Sequence, residues 1–465
     1  MPAEPHITIV GGGFSGAAVA IHLLGLMPEG LRVTLLEPRT VPGAGVAYST
    51  AEPSHRINVP ASRMQLAGEE EGAFDRWYRS QPAFADDPQA RREDGSLYPQ
   101  RGQFGRYVSQ RFAEAVRTSG GRLVHLREQA LDFDESAITT DTGRRLQSDL
   151  LILAVSHPPP ALPRLAVPFH DHPALIANPW RADTLTPIAA DARVAVMGTG
   201  LTMADCIATL SRLGHRGPIT AFSRRGLLSR GNTGSAAAPW PGEYDQGSLR
   251  QRLRLVRADV LRAAEQGLPW QVVLDAVRQQ GQRIWQTLTF ADRQRFLRHL
   301  RRYWDVHRYR IAPQVAEVIE QRQREGSLKV LAARLTALES EARSLTLTLT
   351  LRKGERIALT VDRLILTTGP AHGGLIDSQP LLRELARRGL IRADKLGLGL
   401  DVDAHSRAIG REGRAIPNLL ISGPAARGYF GELMGLPQVA DHAAAVAAEA
   451  LQALGIGQSA RCPTI

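Results

Sequence analysis

The stretch that most constrains this chain is its opening: a short apolar run, His6–Val10, then Gly11-Gly12-Gly13-Phe14-Ser15-Gly16, then helical periodicity over 17–26. A second apolar run, Arg32–Leu36, ends on Glu37. Strand, glycine turn, helix and a strand closing on an acid make the βαβ unit that binds dinucleotides, so the placement carries far more weight than the glycines alone. Gly11 permits the tight turn, Gly13 lets backbone approach a pyrophosphate, and Gly16 lets helix and strand pack closely. The helix N-terminus at Phe14 and Ser15 stabilises the phosphate charge, and Glu37 is expected to accept hydrogen bonds from the adenosine ribose.

The signature recurs in weaker form. Residues 191–197 read as a strand, Gly198-Thr199-Gly200 as a turn, 201–213 as a helix and Ile219–Ser223 as a second strand, with Met203 where a third glycine would stand. Arg224 and Arg225 follow, at the place where an NAD site carries an acid and an NADP site a base. They favour NADPH over NADH; the alternative is two arginines snorkelling at a strand end. Residues 149–154 and 362–369 each run from an acid into a buried strand and a turn, where the chain can pass between nucleotide domains. The fold expected is α/β, with two Rossmann-like domains, the second inserted into the first. The first takes 1–185 and 360–465, the second 186–359, and 248–325 forms a helical insert within the second. Residues 122–153 alternate like a small antiparallel sheet.

Composition narrows the class. Cys206 and Cys462 form no CxxC pair, so no dithiol receives electrons, and Cys206 reads as a small buried apolar residue. His157, His170 and His172 have no acid or cysteine cluster beside them and read as linker residues, so no metal is expected. The net charge of +11 comes from a chain-wide use of arginine, without a DNA-binding motif or basic tail, which argues against nucleic acid. Arginine is densest at 250–310, either as a solvated helix face or as a positive field drawing anions into a cleft. Trp270, Tyr303, Trp285 and Trp304 there read as core or as the cap of a substrate pocket. No run reaches membrane-span length and no leader pattern opens the chain, so a cytoplasmic location is expected; oligomeric state stays open.

Further stretches carry a resemblance: 56–64 (Arg-Ile-Asn-Val-Pro-Ala-Ser-Arg-Met), Asn178-Pro179-Trp180, 223–228, and Ser422-Gly423-Pro424-x-x-Arg427-Gly428. With the glycine turns, they make the chain resemble flavoproteins with two dinucleotide domains, and more closely a bacterial family described as FAD/NAD(P)-binding proteins, over most of its length. The resemblance implies FAD in the first site, with Asn58, Gly423 and Pro424 near it, and the nicotinamide cofactor, NADPH or NADH, in the second. It also implies that the 422–435 loop closes on the flavin. Pro424 stands where many relatives have an acid, so ribityl contacts are expected from backbone. Arg427 is either the cation that stabilises a reduced flavin or a surface arginine.

A flavin, a nicotinamide and no dithiol suit a monooxygenase, which uses oxygen to hydroxylate a small electron-rich molecule; urate is the most specific candidate. A reductase serving a quinone or protein acceptor is the second reading, and a flavin-binding redox sensor the non-enzymatic one.

Overall fold

The computed structural model describes residues 4–456 apart from positions 28, 135, 156, 157, 159 and 233–236, so His157 and Cys462 lie outside the described residues. In chain order the strands are β1 His6–Val10, β2 Arg32–Leu36, β3 Leu123–Leu126, β4 Ala130–Phe133, β5 Ala137–Thr140, β6 Arg145–Gln147, β7 Leu150–Leu153 and β8 Leu175–Ile176. They continue with β9 Val194–Met197, β10 Ile219–Ser223, β11 Leu328–Ser340, β12 Leu345–Leu351, β13 Arg356–Val361, β14 Arg363–Leu366, β15 Arg407–Ile409 and β16 Ala415–Ile421.

The first sheet runs β15-β16-β7-β1-β2-β3. β1 pairs in parallel with β2 and β7, placing Ile9 beside Leu35 and Ile152. β1 and β7 are apolar along nearly their whole length because layers cover both faces of a parallel sheet. On one face lie the helices Phe14–Leu26, Arg101–Thr118 and Gln438–Ala453. Ala17, Ala18 and Ala20 share a fully buried core with Ala443, Val446 and Ala447 of the last of these. Small side chains on both helices let them approach closely, which fixes the C-terminal helix over the glycine turn.

The second sheet runs β13-β12-β11-β10-β9-β14-β8, with parallel pairing among β11, β10, β9, β14 and β8 and an antiparallel β11-β12-β13 extension. The chain therefore leaves the first sheet after β7 and returns after β14. Three expectations need correction. β8 and β14 lie on the first domain's side of the boundaries set at 185/186 and 359/360, yet both pair in the second sheet. A buried apolar run does not say which parallel neighbour it joins. Within 122–153 only β4-β5-β6 form the small antiparallel sheet; β3 and β7 belong to the first parallel one. The helix Pro313–Arg324, placed by periodicity in the insert, is the crossover of the second nucleotide fold. Its Val315 and Ile319 share a core with Met203 and Ile207 of the helix Leu201–Arg212, and Arg322 Nε donates to Ser211 Oγ at 2.8 Å.

The insert proper holds the helices Leu249–Glu265, Gln271–Gln279, Gly281–Thr287, Phe290–Arg295 and Arg301–Arg308. Ser248 and Gln251 start it with a reciprocal capping box, satisfying two amides the first turn would leave bare. Among the described residues no helix is long and apolar enough to cross a membrane.

Candidate functional site

Gly11 has φ +101°, and a side chain on it would strike the Ala154 carbonyl; one on Gly16 would strike Gly11. The turn is open only to glycine, and the helix Phe14–Leu26 begins with no side-chain cap and no acid in its first turn. Uncapped amides and an unopposed positive dipole end fit a pyrophosphate. The second turn repeats the arrangement. Gly198 has φ +124° against Thr367, nothing lies within 4 Å of where a Gly200 side chain would stand, and Leu201–Arg212 starts without cap or acid. Met203, in the third-glycine position, is buried and lines a pocket of about 190 Å³ with Thr199 and Gly200.

Glu37 stands at the end of β2 and is 5% exposed. Its oxygens accept from the Gly12 amide at 2.8 Å and from the Arg39 amide, Nε and Nη2, each at 2.9 Å. Burial pushes its carboxyl up, but the Arg39 hydrogen bonds and charge, with the Gly12 amide, more than offset this and hold it below the usual carboxylate range. The expected ribose acceptor thus already braces the glycine turn.

The C-terminal loop closes on the same turn. Gly423 (φ +79°) sits so near Ser15 that a side chain would strike the Ser15 hydroxyl. The Gly423 amide donates to His442 Nδ1 at 3.1 Å, and His442 Nε2 lies 3.1 Å from Ser406 Oγ. Burial lowers His442 to about 4, which keeps it neutral and able to accept that bond. Sequence reading missed His442, because a histidine inside an alanine-rich helix carries no local signal. Pro424 follows Gly423 in a short 3₁₀ turn, Gly423–Ala426.

A cleft of about 480 Å³ takes its walls from both nucleotide domains; of the expected cofactor residues, Asn58 belongs to its lining and the two glycine turns, Glu37, Arg224, Arg225, Gly423 and Pro424 do not. Asn58, Val59 and Pro60 enter from the first, Leu201 and Thr202 from the second helix N-terminus, Thr367 and Pro370 from the return crossing, and Met434 to Leu436 from the C-terminal loop. Asn58 is anchored by its carbonyl, which accepts from Asn232, and by Oδ1, which accepts from the Ala312 amide. Asp205, behind the second turn, is spent on a buried bidentate pair with Arg101, at 2.9 and 3.0 Å, which ties the two domains together.

Five arginines and one carboxylate line the cleft among the described residues: Arg63, Arg101, Arg278, Arg308 and Arg310 against Asp205. Three of the arginines come from the insert. Arg308 and Arg310 pair with Glu432 and Asp275 at 3.0 and 2.8 Å. Arg278 donates to the Leu436 carbonyl, and burial, followed by the charge of Arg308, lowers it to about 9. Excess positive charge in a half-enclosed cleft favours an anion.

Arg224 and Arg225 are exposed at the end of β10. Arg302 of the insert is held below its ordinary value first by burial and then by Arg224, Arg225 and Arg334, so four guanidiniums share one neighbourhood. Arg302 and Arg334 had no sequence signal beyond belonging to an arginine-rich chain. Arg427 is not a surface residue: it is 5% exposed, with Nη1 2.9 Å from Met434 Sδ. It lines a second cavity, of about 800 Å³ inside the insert, together with Trp285, Tyr303 and Trp304. Trp270 instead packs against His307 and Arg310. Cys206 is buried and its thiol pushed up by burial, away from thiolate chemistry. His170 pairs with Asp171 and His172 with the Glu341 carbonyl, both at the surface, and among the described residues no cluster of three His, Cys, Asp or Glu gathers to hold a metal.

Residues 8–158 match a family model described as FAD-NAD(P)-binding. No curated protein matches the chain in sequence. Among solved structures it is similar to L-lysine 6-monooxygenase from Pseudomonas syringae, 17% identical over 96% of this chain and 99% of that one, with a TM-score of 0.62. It is similar to the ornithine N-hydroxylase of a Kutzneria species, solved with reduced FAD, NADP⁺ and L-ornithine, at 14% identity over 96% and 98%, TM-score 0.57. It is also similar to the bacillithiol disulfide reductase of Bacillus cereus, at 15% identity over 96% and 99%, TM-score 0.52. Residues 8–158, the βαβ unit and the strand that returns beside it, thus match the FAD-NAD(P)-binding model, and the overall fold is shared with L-lysine 6-monooxygenase, ornithine N-hydroxylase and bacillithiol disulfide reductase.

Proposed function

We propose that this chain is an FAD-dependent oxidoreductase that uses NADPH, or NADH, and oxygen to hydroxylate a small electron-rich molecule. The observation that carries the reading is the shared cleft, to which both nucleotide domains contribute walls and at which the helix after the second glycine turn begins, with Leu201 and Thr202. Bound there, a flavin would take up electrons from the nicotinamide and activate oxygen. The chain's own residues bind and orient. The Phe14 and Ser15 amides would hold the pyrophosphate, Gly423 and Pro424 would offer backbone to the flavin, and Arg224 and Arg225 with Arg302 would meet the 2′-phosphate. Val59, Met434 and Leu436 keep the cleft apolar enough to exclude water, and its arginines orient an anionic group.

Likeness to amine hydroxylases supports monooxygenation over reduction; the disulfide reductase likeness keeps a reductase as the second reading. None of the reported neighbours acts on urate, which therefore enters the test beside the amines. The experiment incubates flavin-loaded protein with NADPH, labelled oxygen, and lysine, ornithine, cadaverine or urate. One labelled oxygen per molecule consumed supports the reading. Peroxide as sole product, with brisk reduction of a quinone or a disulfide, replaces it with the reductase.

A further inference from the structure

The insert, together with Leu398, Arg427, Gly431 and Glu432 of the first domain, bounds a half-open space larger than the cleft. Its walls are apolar, with Leu253, Val256, Val277, Ile284, Leu297 and Leu300 among them. At about 800 Å³ it lies within the range of sites that bury a drug-sized molecule, well beyond what an amino acid needs. Leu261 and Tyr303, which belong to its lining, are 67% and 43% exposed, so the space opens to solvent on their side.

Charge and position narrow the occupant. Four arginines, Arg252, Arg257, Arg301 and Arg427, line the space against two carboxylates, Asp305 and Glu432. Glu432 is already engaged by Trp304 Nε1 at 2.8 Å and Arg308 Nε at 3.0 Å, and Asp305 pairs with Arg301 at 3.5 Å. The surplus is positive. Tyr309 lines both this cavity and the cleft, and Arg427, which lines this one, reaches Met434, which lines the other. A thin wall of Tyr309, Arg427 and Glu432 thus separates the two spaces.

We propose that the insert cavity is the substrate chamber of the oxygenation argued above, and that it takes an amphiphile with an apolar body and an anionic end such as a carboxylate. The inference rests on that reading for the word substrate, not for the binding. The apolar helices take up the hydrocarbon or ring system, the arginine surplus takes the anion, and one end of the molecule rests against Tyr309, which also lines the cleft.

The test reads binding on the flavin-loaded protein without nicotinamide. Anilinonaphthalene sulfonate, an anionic aromatic dye, is expected to bind one per chain with a blue-shifted emission. Dodecanoate should displace it at about tenfold lower concentration than dodecanol or dodecylamine. Val256→Trp, which fills the chamber, should weaken dye and dodecanoate about tenfold with flavin content unchanged. Arg257→Gln, which fills nothing and leaves the Arg301–Asp305 pair in place, should reduce the advantage of the carboxylate over the alcohol. Unsaturable dye binding, indifference to Val256→Trp, or dodecylamine competing as well as dodecanoate overturns the proposal. Tight binding with peroxide as the sole oxygen product leaves the site standing and removes the monooxygenase; hydroxylation of a small amine without dodecanoate binding does the reverse.

Discussion

Glu37 accepts from both the Gly12 amide and Arg39, so removing it acts on the glycine turn as well as on a ribose. Glu37→Ala is expected to weaken flavin retention by about 2 kcal/mol or more, read as FAD lost on dilution and gel filtration. Because the folded carboxyl sits below its ordinary value, the stabilisation it supplies is complete above that value and lost as pH falls through the lower one. The gap in stability between wild type and Glu37→Gln, read by urea denaturation, should be constant above about pH 5 and narrow as the pH falls below the ordinary carboxylate value. His442 works in a different window. Its folded value of about 4 against an ordinary 6.5 means the unfolded chain binds more protons between them, so stability falls as pH drops through that interval. The expected loss is roughly 2 kcal/mol on going from pH 7.5 to pH 5, and His442→Gln, measured by urea denaturation, should flatten it.

At the scale of elements, both βαβ units were readable because a glycine turn writes its geometry into the local sequence. Gly198 shows why: with φ +124° and Thr367 against it, no other residue fits. Gly198→Ala should leave flavin content intact and slow flavin reduction by NADPH at least about tenfold, since such strain costs on the order of 1–3 kcal/mol. Arg224→Ala with Arg225→Ala should raise the KM for NADPH and spare NADH, and Arg302→Ala should act in the same direction; equal behaviour with both cofactors would make all three scaffold. What the sequence did not disclose depends on distant partners. Pro313–Arg324 has the same periodicity as its neighbours in the insert and differs only in packing on Leu201–Arg212. β14 repeats the pattern of β7 but pairs with β9 and β8. Arg427 is buried by an insert that follows β10, far from it in the chain.

Across the whole molecule, the insert leaves the second nucleotide fold yet rests on the first domain's C-terminal loop. Trp285 Nε1 donates to the Gly428 carbonyl at 2.9 Å, and side chains on Gly431 or Gly281 would strike Trp285 or Glu432. Trp285→Phe should cost about 1 kcal/mol in urea denaturation and make the insert easier to cleave in limited proteolysis, with flavin restoring part of the protection. That seating has a mechanical consequence. The insert acts as a strap buckled across the joint between the two nucleotide domains, so a swing of the second domain must either drag Gly428 to Glu432 with it or slide Trp285 off them. Opening the joint and reshaping the loop from Gly428 to Glu432 are, in this chain, one movement.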